Sequence, residues 1–516
     1  MNNIKKLLAL FVTAFIFVSS GFVIISRYIK RIFKESPQEA IQYNQKKVRD
    51  VINAQIKGFD IESIKSKKHL ILERTIEEIQ KSVQSGELSY TEITVFYLNR
   101  IKEIDQKEYG LNAIAEVNPE AVKQAQNFDL HKNEANSPLY GLPVTLKDNI
   151  NTVDMPTSAG TYAFKDFVPN DDAQVVKNLR NANVLILAKV NLSELAHFMD
   201  YKTPSGYSSK VGQTRNPFAP LELSPSGSST GSAVSIATNI GVFSIGTETT
   251  GSIIAPASIQ SVVGMKSSRD SISREGVFPL SSTLDSLGPI ARNVTDALQA
   301  YNSIVDDKKL CLDIAKLDKN YIKGKRIGIV QTQNSKTNEL ISILEKAGAE
   351  VVKVRFDENG INYLDIINND FKFDFANFAK KYNLPLKNLQ ELIDYNRADL
   401  SRRARYGQIL LETSNEIKEN NVRGVSRQVI LAKNRLDSLR ERYDLDAFVF
   451  FNNESVILPA VAGYPYMSIP FGKDEKGIPQ GTTFVVGESE EKELFCFGYA
   501  FEQMANGRVI PKKYGK

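Results

Sequence analysis

The chain has 516 residues, 42% of them hydrophobic and 24% charged, with a formal net charge of +5, ample for a large core and, by length alone, for roughly two to four domains. Cys311 and Cys496 are its only cysteines and His69, His131 and His197 its only histidines; neither set has ligand spacing, which excludes a disulfide framework and a zinc hydrolase, and no metal or cofactor is expected. Residues 1–34 hold six basic and no acidic side chains, so the remainder is near neutral and carries no nucleic-acid footprint.

Residues 7–26 are 20 uncharged residues rich in Leu, Phe, Val and Ile. At about 1.5 Å per residue a helix of that length crosses a ~30 Å hydrocarbon core, which predicts an N-terminal transmembrane helix within residues 1–34 and a basic flank for anionic headgroups. The expectation is a single-pass protein of the cell membrane, and the near balance of basic residues on the two sides leaves its orientation open. The alternative is a cleaved signal peptide with Ser19-Ser20-Gly21 as the cleavage site, although its apolar region would be unusually long.

Residues 35–70 are polar and lysine-rich, with Ile41, Val48, Val51, Ile52 and Ile56 at partly helical spacing, which reads as a helical stalk or linker. A globular domain follows over residues 71–516. Its first clear helix start is Ser89-Tyr90-Thr91-Glu92, a capping box ahead of Val95, Leu98 and Ile101. Short apolar runs at 184–188, 327–330 and 447–450 alternate with helical stretches such as 172–181 and 338–347. That alternation predicts an α/β fold with buried strands. Residues 306–446 are charged and helix-rich and read as helices packed around the sheet.

Three segments carry the chemistry. Gly-Leu-Pro-Val-Thr-Leu-Lys147-Asp-Asn ends an apolar run on a lysine. Residues 225–233 read Pro-Ser-Gly-Ser-Ser-Thr-Gly-Ser-Ala, and residues 246–256 read Gly-Thr-Glu-Thr-Thr-Gly-Ser-Ile-Ile-Ala-Pro. Two glycine loops bearing serines, plus one lysine, suggest a nucleophile and its base. A serine needs such a base to attack an amide, and a lysine serves only when neutral, so its pKa has to fall from ~10.4 toward neutrality.

These segments resemble the amidase signature family, and so do Leu111-Asn112-Ala113-Ile114, Pro138 to Pro143, Val263 to Lys266, Leu284 to Arg292, Ala462 to Pro465 and Phe501-Glu502-Gln503. The resemblance runs from about Thr75 to Pro511, with 306–446 divergent. It implies one α/β domain in which helices surround a large mixed β-sheet. It also implies amide hydrolysis to acid and ammonia or amine through an acyl-enzyme. By the match Ser252 is the nucleophile, Ser228 the bridging serine after a cis Gly227-Ser228 bond, and Lys147 the base. Ser229 supports the network, and the backbone of Thr249, Thr250, Gly251 and Ser252 forms the oxyanion hole.

The expected partner is a small-molecule amide, with the membrane held through residues 7–26. The alternatives are the glutaminase-type subunit of a transfer-RNA-dependent amidotransferase and a catalytically silent membrane-bound homologue. This chain departs from the family pattern at Ser226, Thr230 and Thr250, where glycine is usual, at Glu248, where aspartate is usual, and at Ile254, where arginine is usual. A positive φ at Thr250 would strain the loop. Loss of the arginine removes a fork for a carboxylate and leaves Glu248 short of a partner, which favours substrates with a neutral acyl portion.

Overall fold

The computed structural model describes residues 34–514. Among these residues are thirteen strands: β1 (Ile114–Val117), β2 (Pro143–Lys147), β3 (Leu185–Val190), β4 (Tyr207–Ser208), β5 (Gly212–Gln213), β6 (Phe243–Glu248), β7 (Val263–Lys266), β8 (Ser286–Ala291), β9 (Arg326–Val330), β10 (Glu350–Val354), β11 (Ala447–Phe451), β12 (Tyr466–Lys473) and β13 (Pro479–Val485). All except the β4–β5 hairpin form one eleven-stranded sheet in the order β1-β3-β2-β6-β8-β7-β12-β13-β11-β9-β10. Pairing is parallel between β2 and both β3 and β6, and between β9 and both β10 and β11; the remaining pairs are antiparallel. The sheet is thus mixed, as expected.

Helices cover both faces, and this explains why the strands read as continuous apolar runs. On β11 the alternation survives inside the core: Ala447, Val449 and Phe451 enter one apolar cluster while Phe448 and Phe450 enter the other. The second cluster is completed by helix Tyr363–Lys381 through Ile366, Phe371 and Phe375, and by helix Val422–Tyr443 through Ala432 and Leu436. The divergent helical segment is therefore the cover of one sheet face.

The stalk reading is corrected. Residues 45–56 are helical, but Val48, Ile52 and Ile56 are buried in the main core cluster. A stripe at i, i+4, i+8 loses free energy in water and has to find an apolar partner. It finds one against β1 and helix Tyr90–Arg100, where Asn44 Nδ2 donates to Ala115 O at 2.8 Å and Gln55 Nε2 to Asn118 O at 3.0 Å.

The membrane assignment is corrected as well. The anchor expected at residues 7–26 lies outside the described residues, and among the described residues no helix is long and apolar enough to cross a membrane. The described residues therefore give no support to single-pass cell-membrane localisation.

If residues 45–56 belong to the folded body, Ile52→Ala removes a fully buried side chain and should cost about 2–4 kcal/mol. Chemical denaturation measures this directly, and a free-standing stalk would give no change.

Candidate active site

Lys147 is the last residue of β2. The register that pairs Leu146 with Ile245 sets it beside the end of β6, so two parallel strands finish together at their carboxyl ends. Lys147 Nζ lies 2.8 Å from Ser228 Oγ, 2.9 Å from Thr247 Oγ1 and 3.0 Å from Thr247 O. It is fully buried, and desolvation pulls its pKa down to about 7 against the opposing charges of Asp285 and Glu248. A neutral amine there can donate to both Thr247 oxygens and turn its lone pair to the Ser228 hydroxyl. Asn149 Nδ2 donates to the same Thr247 hydroxyl at 3.0 Å and fixes its orientation.

Ser228 follows a cis bond from Gly227 and precedes helix Thr230–Ala237. Ser252 stands in the turn between β6 and helix Ile254–Ile259. The two loops are tied by Ser229, whose N–H donates to Ser252 O at 2.9 Å and whose hydroxyl donates to Thr247 O at 2.9 Å. Ser252 lines a cleft of about 400 Å³ together with Ser226, Gly227, Thr249, Thr250 and Gly251. Lys147, Ser228 and Ser229 are buried behind it. The structure therefore brings the expected residues to one site, with Gly227, Ser252 and the Thr249 to Gly251 turn on the cleft and Lys147, Ser228 and Ser229 buried.

Glu248 organises the Ser252 turn. One carboxylate oxygen accepts the Gly251 N–H at 2.7 Å, and the other accepts those of Ile253 at 2.5 Å and Ile254 at 3.0 Å. The Tyr466 hydroxyl donates to it too, and burial holds that phenol well above its ordinary pKa and hence protonated. Glu248 is thus fully partnered without the arginine usual at 254. Gly251 N–H is engaged inside the turn and is not free to meet an oxyanion.

Two further expectations change. Thr250 does not take a positive φ; Gly251 does, at +85°, so no β-branched residue is strained. Ser226 does occupy the left-handed region, at +59°, and its carbonyl accepts from Thr230 Oγ1 at 2.6 Å. The two residues that replace glycines there support each other. Ile254 is fully buried in the second core cluster and does not line the cleft. It cannot read the acyl group. Tyr363, Leu364, Ile367 and Leu410 from the divergent segment line the cleft instead, and among the described lining residues there is no Lys or Arg.

Sequence reading did not assign Thr247, Asn149, Asp285 or Tyr466. Thr247 and Asn149 lie inside the motif segments themselves. Asp285, in the Leu284–Arg292 match, accepts from Thr249 Oγ1 at 2.6 Å. Tyr466 is 218 residues from Glu248, and no local spacing points to it.

The family model for amidases matches residues 92–445. This chain belongs to the amidase signature family. It is an enzyme of a family that hydrolyses carbon–nitrogen bonds in amides. Among curated relatives, a probable amidase of Arabidopsis thaliana is 34% identical over 86% of this chain and 92% of its own length. A glutamyl-tRNA(Gln) amidotransferase subunit from Prochlorococcus marinus is 30% identical over 84% and 97%. Among solved structures, an amidase family protein from Bacillus anthracis matches with a TM-score of 0.89 and 39% identity, over 92% of this chain and 100% of that one. The native peptide amidase from Stenotrophomonas maltophilia matches at 0.80 and 35%, over 85% and 98%.

Removing the hydroxyl that Glu248 accepts should loosen the amidase's Ser252 turn. Tyr466→Phe is expected to lower unfolding free energy by about 1.5–3 kcal/mol, the range for a hydrogen bond to a charged group. Denaturant titration beside the wild type reads this out.

Proposed function

We propose that the enzyme hydrolyses a carboxylic amide through an acyl-enzyme on Ser252, with Ser228 as proton relay and Lys147 as base. The observation that carries this reading is the 2.8 Å contact between Ser228 Oγ and a buried lysine whose pKa falls to about 7, in a loop tied through Ser229 to the serine that lines the cleft. Neutral Lys147 takes the Ser228 proton as Ser228 takes that of Ser252, and Ser252 Oγ bonds to the carbonyl carbon. The N–H groups of Thr249, Thr250 and Ser252 meet the oxyanion. On collapse the C–N bond breaks, and the proton returns through Ser228 to the leaving nitrogen. Water then enters by the same relay and releases the acid.

The glutaminase-type reading draws on the amidotransferase subunits among the relatives, but it needs a cation for the α-carboxylate of glutamine. The cleft lining supplies no Lys or Arg, so a simple amidase is the better reading. A silent homologue is disfavoured by the intact lysine–serine contact.

A fluorophosphonate probe should label the wild type and leave Ser252→Ala unlabelled, and Ser252→Ala and Lys147→Ala should each cost on the order of 10⁴-fold in kcat. Labelling of Ser252→Ala at the wild-type rate would reject the nucleophile assignment.

The base must lose a proton before it can act. Hence kcat/KM should rise with pH through about 7 and level off above, with the lower limb absent in Lys147→Ala. A flat wild-type profile between pH 5 and 8 would reject the lysine base.

A further inference from the structure

One wall of the cleft lies outside the family match, which begins at residue 92. Glu35 lines the cleft beside His197 and Asp200. It belongs to a strap, residues 34–44, that is fastened along its length. Ser36 N–H donates to Lys202 O at 2.8 Å, and Ile41 O accepts from Gln213 N at 2.9 Å. The Glu39 carboxylate takes Arg405 at 3.1 and 2.8 Å and the Tyr406 hydroxyl at 2.8 Å. The Arg402 guanidinium stacks 3.3 Å from the Tyr43 ring centroid. Glu35 is thus a built part of the wall.

Its carboxylate accepts from Ser205 N at 2.9 Å and Ser205 Oγ at 2.8 Å. The Asp200 carboxylate accepts from Lys202 N at 3.0 Å and Ile409 N at 3.2 Å. These donors are neutral, and each carboxylate keeps lone pairs to spare. His197, the only basic side chain among the described lining residues, spends Nε2–H on Thr203 O at 2.9 Å and stands 3.7 Å from Glu35. Two carboxylates facing a cleft with no Lys or Arg give it a negative field, focused by the apolar side chains of Leu280, Leu364 and Ile367.

Resting on the acyl-enzyme reading above, we infer that the cleft selects amides bearing a positively charged group, an ammonium or guanidinium, which Glu35 and Asp200 receive. The strap is then a specificity element, and Glu35 does more than pin it to Ser205.

Two fluorophosphonates of equal length, one ending in trimethylammonium and one in its neutral isostere tert-butyl, test this on the full chain without knowledge of the natural substrate. The cationic probe should label Ser252 about tenfold faster, with the advantage shrinking as salt is added. Glu35→Gln keeps the size and the Ser205 contacts and should reduce the ratio several-fold, and Glu35→Asp should restore part of it. Asp200→Asn gives an independent reading should the first variant fold poorly. Equal labelling of the wild type by both probes, or a ratio unchanged in Glu35→Gln and Asp200→Asn, would overturn the inference and leave the acyl-enzyme reading standing. No labelling by either probe would overturn both.

Discussion

Burying a lysine without a carboxylate partner is the constraint around which the site is arranged. Desolvation of Lys147 drives it toward the neutral amine, while two carboxylates nearby, Asp285 and Glu248, pull the other way. Both are occupied elsewhere. Asp285 accepts from Thr249 Oγ1 and from the N–H groups of Leu280 and Ser281, and Glu248 from three N–H groups and Tyr466. Neither hydrogen-bonds Lys147, whose contacts are all neutral oxygens. The protein thus keeps the charges that would hold the ammonium while directing their lone pairs away from it.

The same economy governs the Ser252 turn. A carboxylate that gathers backbone N–H groups needs a further donor, and a phenol contributes one without adding charge. With Tyr466 in that place, position 254 is free to be apolar, and Ile254 packs into the core. Ser226 and Thr230 follow the same logic on the other loop. A left-handed serine is costly alone, but its carbonyl is held by the threonine hydroxyl four residues on. Departures that look like separate defects in the sequence are paired compensations in the fold.

How much could be read from the sequence follows from contact range. The strand and helix alternation was legible in the apolar runs, whereas the mixed sheet and the grouping of Lys147, Ser228 and Ser252 came only through the resemblance of short segments to a known family. The helix at 45–56 was legible as a helix but not in its placement, since an apolar stripe announces that it needs a partner without naming one. Tyr466 and Glu35 were not legible at all. Their roles rest on contacts across 218 and 170 residues, where periodicity carries no information. Ile254 misled for a different reason: the residue type showed what was lost, a charged fork, but not which way the side chain points.

Chemistry and recognition are therefore built from different parts of the chain. Lys147 and Thr247 stand at strand ends inside an eleven-stranded sheet, where a shift of one residue would be resisted by the whole ladder. The cleft walls come from Glu35 of the strap, from the loop at 196–205 and from the ends of helices Tyr363–Lys381 and Ile409–Asn415. Substitutions in those walls can alter charge and shape without disturbing the register that sets Lys147 against Ser228. Tyr363, Leu364, Ile367 and Leu410 of the helix-rich segment line the cleft while the lysine stands on a strand, an arrangement that lets rate and specificity vary separately.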